Sequence, residues 1–430
     1  LDLPFRTDVK AEIRITEDRP IWSKQYPYPM SVNRFVNEQI QNFLQKGIIR
    51  ESKSPYNSPV WVVPKKGMND DGSPKLRLVI DFKKINEKTI SDRYPMPNPE
   101  VILTNLGKSK YFSTIDLESG FYQILMKEND IEKTAFSVNN GKYEFLRMPF
   151  GLKNAPSIFQ RAMDNVLREY IGKFCHVYID DVIIFSKSLK EHKKHLNLII
   201  EILRGANMKI SSEKSKFYQE EVEFLGYIVA KDIIKTDPKK IETIQNYPVP
   251  RTLRQLRGFL GLTGYYRKFI ENYAAISKPL TKYLQGENGK ISQYLSKKKI
   301  VDLDQSGITA CERLKNLLSQ QVQLTQPNYN MKFVLTTDAS NVALGAVLSQ
   351  EGKPIIFISK TLNSTEMNYA TNEKELFAIV CALKTLRNYL YGVSDLEIHT
   401  DHQPLSFAVS ERNPNIKIKR WRSFIEENYL

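Results

Sequence analysis

Apolar positions along this chain change their spacing several times, and each change predicts a new element. Residues 31–49, SVNRFVNEQIQNFLQKGII, carry them at helical intervals, with Gly47 placed to cap the helix end. The stretches 19–30 and 53–66 contain too many prolines for helix interiors and read as extended. Residues 75–86, KLRLVIDFKKIN, read as a strand running into a turn. Between 111 and 230 strands and helices interleave. Strands are predicted at 111–117 (YFSTIDL) and 134–138 (TAFSV), in two short apolar runs around 177–185, and at 222–229 (VEFLGYIV). Helices are predicted at 155–171 and 189–207. Pro238, Pro248 and Pro250 break the pattern and mark a boundary, after which 251–284 reads as helical. The polar residues 285–299 read as a loop. After Pro327 the pattern restarts as strands at 332–340, 345–350 and 354–359, a helix at 372–390 and a strand at 395–401, an α/β domain.

One junction in this pattern is chemically awkward. Asp180 and Asp181 stand side by side between the apolar runs Val177–Ile179 and Val182–Phe185. Neighbours within a strand point to opposite faces, so both carboxylates reach one space only from a tight turn between two strands. Two like charges there need compensation. A pair of Mg²⁺ ions is the simplest source, since hard cations take carboxylate oxygens and keep positions open for phosphate. Asp116, at the end of another short apolar strand, is the candidate third ligand. Metals so held could activate an attacking hydroxyl and stabilise a leaving pyrophosphate.

Charge adds a partner. The 63 Lys and Arg outnumber the 48 Asp and Glu, a net +15 over 430 residues, which points to a polyanion such as nucleic acid. Within 236–285, nine basic residues face three acidic ones. The three cysteines, 175, 311 and 381, are far apart and odd in number, which disfavours a disulfide framework and favours a reducing compartment. No apolar run approaches the ~20 residues that span a bilayer, so no membrane partner is expected. The chain opens on Leu1, as expected of a processed or excised piece. His192 and His195, three apart on a lysine-rich helix, are expected in solvent, and His402 reads as a surface histidine.

The motifs LRLVIDFKKIN (76–86), FSTIDLESGFYQI (112–124), MPFGLKNAPSIFQRAM (148–163), YIDD (178–181) and FLGYIV (224–229) follow the order of a reverse transcriptase. In detail they resemble the gypsy class of LTR retrotransposons. TDAS (337–340), NEKELFAI (372–379) and IHTDHQPL (398–405) resemble the RNase H domain fused to that polymerase. The resemblance implies fingers and palm over 1–235, thumb and connecting segment over 236–327, and an RNase H-like α/β domain over 328–430. The fold would be a right-hand polymerase with an α+β palm. Asp116, Asp180 and Asp181 would bind two Mg²⁺, with Mn²⁺ as a substitute. Arg77 matches the fingers arginine on the triphosphate, where a planar fork suits phosphate oxygens. Lys66 would be a second triphosphate contact, with Lys65 or Lys75 as alternatives. Phe121 matches the steric gate beneath the incoming sugar. Phe150 departs from the retroviral pattern, which carries Gln there, so an aromatic ring replaces a donor in the nucleotide pocket. Lys214 falls where the family has a lysine near the leaving pyrophosphate. Gly226 and Tyr227 lie in the primer-grip motif, and Arg254 and Arg257 in a thumb helix would meet phosphates. Gly258, Gly261 and Gly264 of that helix would permit close backbone approach.

For the second site the resemblance implies four acids on two metals, and three are visible: Asp338, Glu375 and Asp401. The fourth is expected beyond Leu430. The implied partners are RNA/DNA hybrid and DNA duplex template–primer and deoxynucleoside triphosphates, with a homodimer also open, in cytoplasmic virus-like particles. Two rival expectations are a polymerase whose RNase H fold only binds hybrid, and a non-catalytic template-gripping subunit.

Overall fold

The structure, a computed structural model, describes residues 9–17, 19–68, 72, 74–139, 141–284, 299–320, 322–400 and 416–429. Contacts divide the chain into two compact units, residues up to 102 with 110–220, and 103–109 with 221 onward. The division falls before the expected border at 235, because the strands of 221–236 pair with one another and with Leu324–Thr325.

In the first unit, helix α1 (Asn33–Gln45) buries Val36 and Ile40 and stops where the sequence places a cap. Gly47 takes φ +59°, so Ile48 N–H donates to Phe43 O (2.9 Å) and Gly47 N–H to Leu44 O (3.0 Å), satisfying the last carbonyls. Strands β1 (Val60–Met68) and β2 (Pro74–Ile80) form an antiparallel ribbon. The palm sheet contains β3 (Tyr111–Leu117), β4 (Cys175–Tyr178), β5 (Asp181–Ser186) and β6 (Ile210–Gln219), in the order β4-β5-β3-β6. Helices α2 (Ala155–Leu167) and α3 (Leu189–Gly205) pack on it. Its core is the β-branched and aromatic set the runs announce, with Phe112, Ile115, Val182, Ile183 and Ile184 at most 1% exposed.

The second unit opens with β7 (Glu221–Phe224), β8 (Tyr227–Ala230) and β9 (Ile233–Thr236). Helix α4 (Pro238–Gln245) follows, where the prolines read as a break. Asp237 caps it by accepting from Lys239 N–H, and Pro238 sits at its first position, where no N–H is missed. Helices α5 (Leu253–Tyr265), α6 (Tyr273–Thr281) and α7 (Gln305–Ser319) lead to β10 (Leu324–Thr325), which joins the sheet β7-β8-β9-β10. The C-terminal sheet contains β11 (Phe333–Ala339), β12 (Ala343–Gln350), β13 (Lys353–Thr361) and β14 (Leu396–Thr400), ordered β13-β12-β11-β14, with β11 and β14 parallel. Helix α8 (Thr371–Thr385) packs on β11 and β12, and α9 (Ile416–Tyr429) packs on α8. The expected loop at 285–299 lies outside the described residues except for its last position.

One expectation is overturned. His192 is fully buried, and His195 is partly buried. His192, Leu196, Ile199 and Leu203 form the inward face of α3. Nε2 of His192 lies 2.7 Å from Ser113 Oγ and Nδ1 lies 2.9 Å from Ser186 Oγ, while the His195 ring stacks on Phe174 at 3.9 Å. Burial, and then the neighbouring His195, pushes the His192 pKa down to about 4, and burial does the same to His176. Both groups are therefore neutral in the folded state where the unfolded chain already binds protons. The contribution of these two groups to stability is full above about pH 6.5 and is lost as pH falls toward 4. Urea midpoints measured across pH 4–7 should show this, and His192→Gln should flatten the slope by about 1.4 kcal/mol per pH unit.

Candidate active sites

Asp116 and Asp181 are direct Cα partners across the antiparallel pair β3–β5. Asp181 also faces Tyr178 at the close of the β4–β5 hairpin, and Asp180 occupies the turn between them. The paired acids are thus brought to one end of the palm sheet by strands whose interiors are apolar. The ends themselves are open: Asp180 and Asp181 are exposed and Asp116 is about one-third exposed. Asp116 N–H donates to Ser215 Oγ (3.1 Å), which fixes the strand end. The Lys214 ammonium lies 3.6 Å from Asp116 Oδ1, so a cation already neutralises part of this charge.

Gly120 lets the aromatic element approach this point. A Cβ there would stand 3.1 Å from the Phe159 ring and 3.5 Å from Asp180 Cβ. The short 3₁₀ turn Gly120–Gln123 then presents Phe121, partly buried, with its ring centroid 4.9 Å from Phe150 and 5.5 Å from Phe159. Phe150 is 49% exposed and also meets Tyr122 edge-on at 5.2 Å. Arg77 is exposed on β2 opposite Val63. Burial pushes the Tyr122 pKa up to about 12, and the charge of Arg77 opposes that rise. Lys66 belongs to β1, and its side chain lies outside the described part; Lys65 and Lys75 are exposed.

In the second unit, the β7–β8 turn holds Leu225 (φ +48°) and Gly226 (φ +70°). Tyr266 Oη donates to Gly226 O (2.7 Å), and Tyr265 Oη donates to Leu225 O. Tyr227 is 5% exposed, stacked on Tyr265 at 5.2 Å, with the buried Lys268 ammonium 4.1 Å from its ring centre. Its ring is therefore enclosed within the protein, and the outward-facing part of this motif is the turn itself. Tyr265, 48% exposed, is the aromatic that faces outward. The sequence did not single out Tyr265, Tyr266 or Lys268; the repeat of aromatics at the end of a basic helix was the available signal. Arg254 and Arg257 are exposed on α5. The three glycines differ. Gly258 makes room for Tyr247 Oη and Gly264 for Tyr273, whereas a Cβ at Gly261 would meet nothing beyond its own helix within 4 Å among the described residues.

Of the second acid set, Asp338 is exposed on β11, and Glu375, 3% exposed, lies in the second turn of α8. Gly345 pairs with Asp338, and the side-chain amide of Asn272 fills the place a Cβ would take. Asp401 and His402 lie outside the described residues. The donor sets are carboxylate oxygens throughout, suited to hard divalent cations. Among the described residues no three acidic, His or Cys side chains already form an assembled ion cage.

Residues 63–229 match the family described as reverse transcriptase (RNA-dependent DNA polymerase), and residues 328–428 match the RNase H-like domain found in reverse transcriptase. The chain is 56% identical over 427 residues to the retrovirus-related Pol polyprotein from transposon gypsy of Drosophila melanogaster, and 52% identical over 429 residues to that from transposon opus. These alignments cover 99% of this chain but 41% and 43% of those proteins, so the chain spans about two fifths of their length. Among solved structures, the foamy viral protease-reverse transcriptase dRH in complex with double-stranded DNA superposes with a TM-score of 0.83, at 25% identity, covering 98% of this chain and 73% of that one. The foamy viral protein in complex with RNA/DNA hybrid gives a TM-score of 0.77 at 25% identity, covering 99% and 56%. Fold and matched regions define a reverse transcriptase with an RNase H-like domain, a class that generally uses divalent metals. The chain belongs to the gypsy-class retrotransposon Pol family, in its reverse transcriptase–RNase H part.

Proposed function

We propose that the chain is an RNA- and DNA-directed DNA polymerase with RNase H activity, copying retrotransposon RNA into cDNA. The observation that carries this reading is the facing of Asp116 and Asp181 across β3–β5 with Asp180 on the adjoining turn. Two Mg²⁺ ions at each acid set would supply nucleophile activation and charge neutralisation. The chain's own residues do the rest. Asp116, Asp180 and Asp181 hold the cations, Arg77 orients the triphosphate by its planar fork, and Phe121 lies under the sugar. The Lys214 side chain, 3.6 Å from Asp116 Oδ1, lies where a departing pyrophosphate would pass. Asp338, Glu375 and Asp401 supply three of the acids of the hydrolytic set. Template–primer, as hybrid or DNA duplex, is recognised through its backbone by Arg254 and Arg257 and by close approach to Gly261. Primer extension on an end-labelled RNA template tests this in one gel. DNA growth that depends on deoxynucleotides and Mg²⁺, with shortening of the RNA, is the expected result; no extension on either RNA or DNA template would overturn it.

A further inference from the structure

The turn that carries Asp180 is built on a residue unsuited to it. Ile179 has φ +57°, a left-handed conformation that a β-branched side chain adopts only when its surroundings impose it. The surroundings are specific. Gln160, on α2 and fully buried, accepts from Ile179 N–H through Oε1 at 2.7 Å. Its Nε2 donates to Val177 O (3.2 Å), on the strand entering the turn, and to Asp164 Oδ1 (2.8 Å), one helical turn further along α2. The amide therefore spans the entry to the turn and the left-handed residue, while its own orientation is fixed by Asp164.

Asp164 is held in turn. Its Oδ2 accepts from Tyr94 Oη at 2.7 Å. Tyr94 lies under the Arg161 guanidinium at 4.7 Å, and Nη2 of Arg161 donates to both carboxylate oxygens of Asp92 (2.8 and 2.7 Å). Asp92 also accepts from Tyr94 N–H at 3.1 Å. A continuous set of hydrogen bonds thus runs from the 92–94 segment through α2 to the backbone of Ile179. None of these side chains belongs to the acid set itself.

We propose that Gln160, oriented by Asp164 and Tyr94, is the positioning residue that imposes the left-handed turn at Ile179 and so sets the direction of the Asp180 and Asp181 carboxylates. The proposal rests on the reading of that pair as polymerase acids. An apolar residue of the same size at 160 would fill the volume but release both the Ile179 N–H and the Val177 carbonyl. The turn would then relax toward conformations an isoleucine prefers, and the two carboxylates would diverge.

The test compares Gln160→Leu with wild type in amide hydrogen exchange on metal-free protein and in primer extension. Exchange over 177–181 should quicken about tenfold while β3 keeps its protection. The kcat should fall about 10- to 100-fold, with the deoxynucleotide KM within about threefold, as a 1 Å misplacement of reacting groups predicts. Ile179→Gly relieves the backbone demand, so the loss caused by Gln160→Leu should shrink severalfold in that background. Unchanged exchange at 177–181, or an undiminished loss in the glycine background, overturns the proposal. Should Gln160→Leu fail to fold, Tyr94→Phe decides, because it removes one hydroxyl: faster exchange confined to 177–181 supports the relay and unchanged exchange overturns it. A wild-type protein that extends no primer would remove the polymerase reading, while the exchange result would still decide what holds the turn.

Discussion

Asp181→Asn is expected to lower DNA synthesis by about a thousandfold or more while affinity for template–primer stays within about threefold. The carboxylate faces Asp116 across two paired strands, and an amide of the same shape removes one negative charge from the set that would hold the cations. Losing about 4 kcal/mol of charge stabilisation in the transition state corresponds to about three decades in rate. Binding is spared because the proposed phosphate contacts are elsewhere, at Arg254 and Arg257. Folding is spared because Asp181 is exposed at the sheet end, while its neighbours Val182 and Ile183 carry the packing. Single-turnover extension and a binding titration in Ca²⁺ would separate the two effects. Extension by Asp181→Asn within tenfold of wild type would remove the hairpin from the chemistry.

The sequence made the strands legible through their buried apolar positions: 182–185 is a continuous apolar run, and 111–117 keeps Phe112, Ile115 and Leu117 buried among Ser113, Thr114 and Asp116. The acid pair was legible as a hairpin because neighbouring carboxylates cannot converge mid-strand. Long-range hydrogen bonds left no local trace. Gln160 reads as one polar residue in an amphipathic helix, and only tertiary structure brings it to Ile179. His192 could have been placed correctly, since Leu196, Ile199 and Leu203 share its face; the surrounding lysines hid that spacing. The enclosure of Tyr227 was hidden for a different reason. Its motif carries no sign of burial, while Tyr265 at the end of α5 and Tyr266 and Lys268 just beyond it enclose its ring. The glycines of α5 look alike in sequence, yet Tyr247 and Tyr273 account for two of them, and only Gly261 remains open. Helix α7 depends on Asp304, whose side chain accepts from Gly307 N–H, a cap within a polar surrounding that masks the start.

Phe121→Val is expected to raise ribonucleotide use relative to deoxynucleotide use by about 10- to 200-fold, read as the ratio of kcat/KM values. A close-fitting ring rejects an added hydroxyl by overlap, and a difference of one or two heavy atoms in such a pocket is worth about 1–3 kcal/mol. Phe121 is suited to this because it cannot retreat. Phe159 backs it at 5.5 Å and is itself fully buried, while Phe150 closes one side at 4.9 Å. Gly120 brings the same turn against Asp180 Cβ, so the ring stays in register with the acids. Valine keeps an apolar contact but withdraws the ring, opening space beside C2′. Deoxynucleotide kcat/KM should fall only a few-fold, since no proposed polar contact is lost. The aromatic neighbours also set a control. Phe150→Gln should leave the sugar discrimination within about threefold, because Phe150 supports the gate ring from the side and Phe159 still holds it from behind. A ratio unmoved by Phe121→Val would make Phe121 a packing residue of the Phe121–Phe150–Phe159 cluster, with sugar selection residing elsewhere in the pocket.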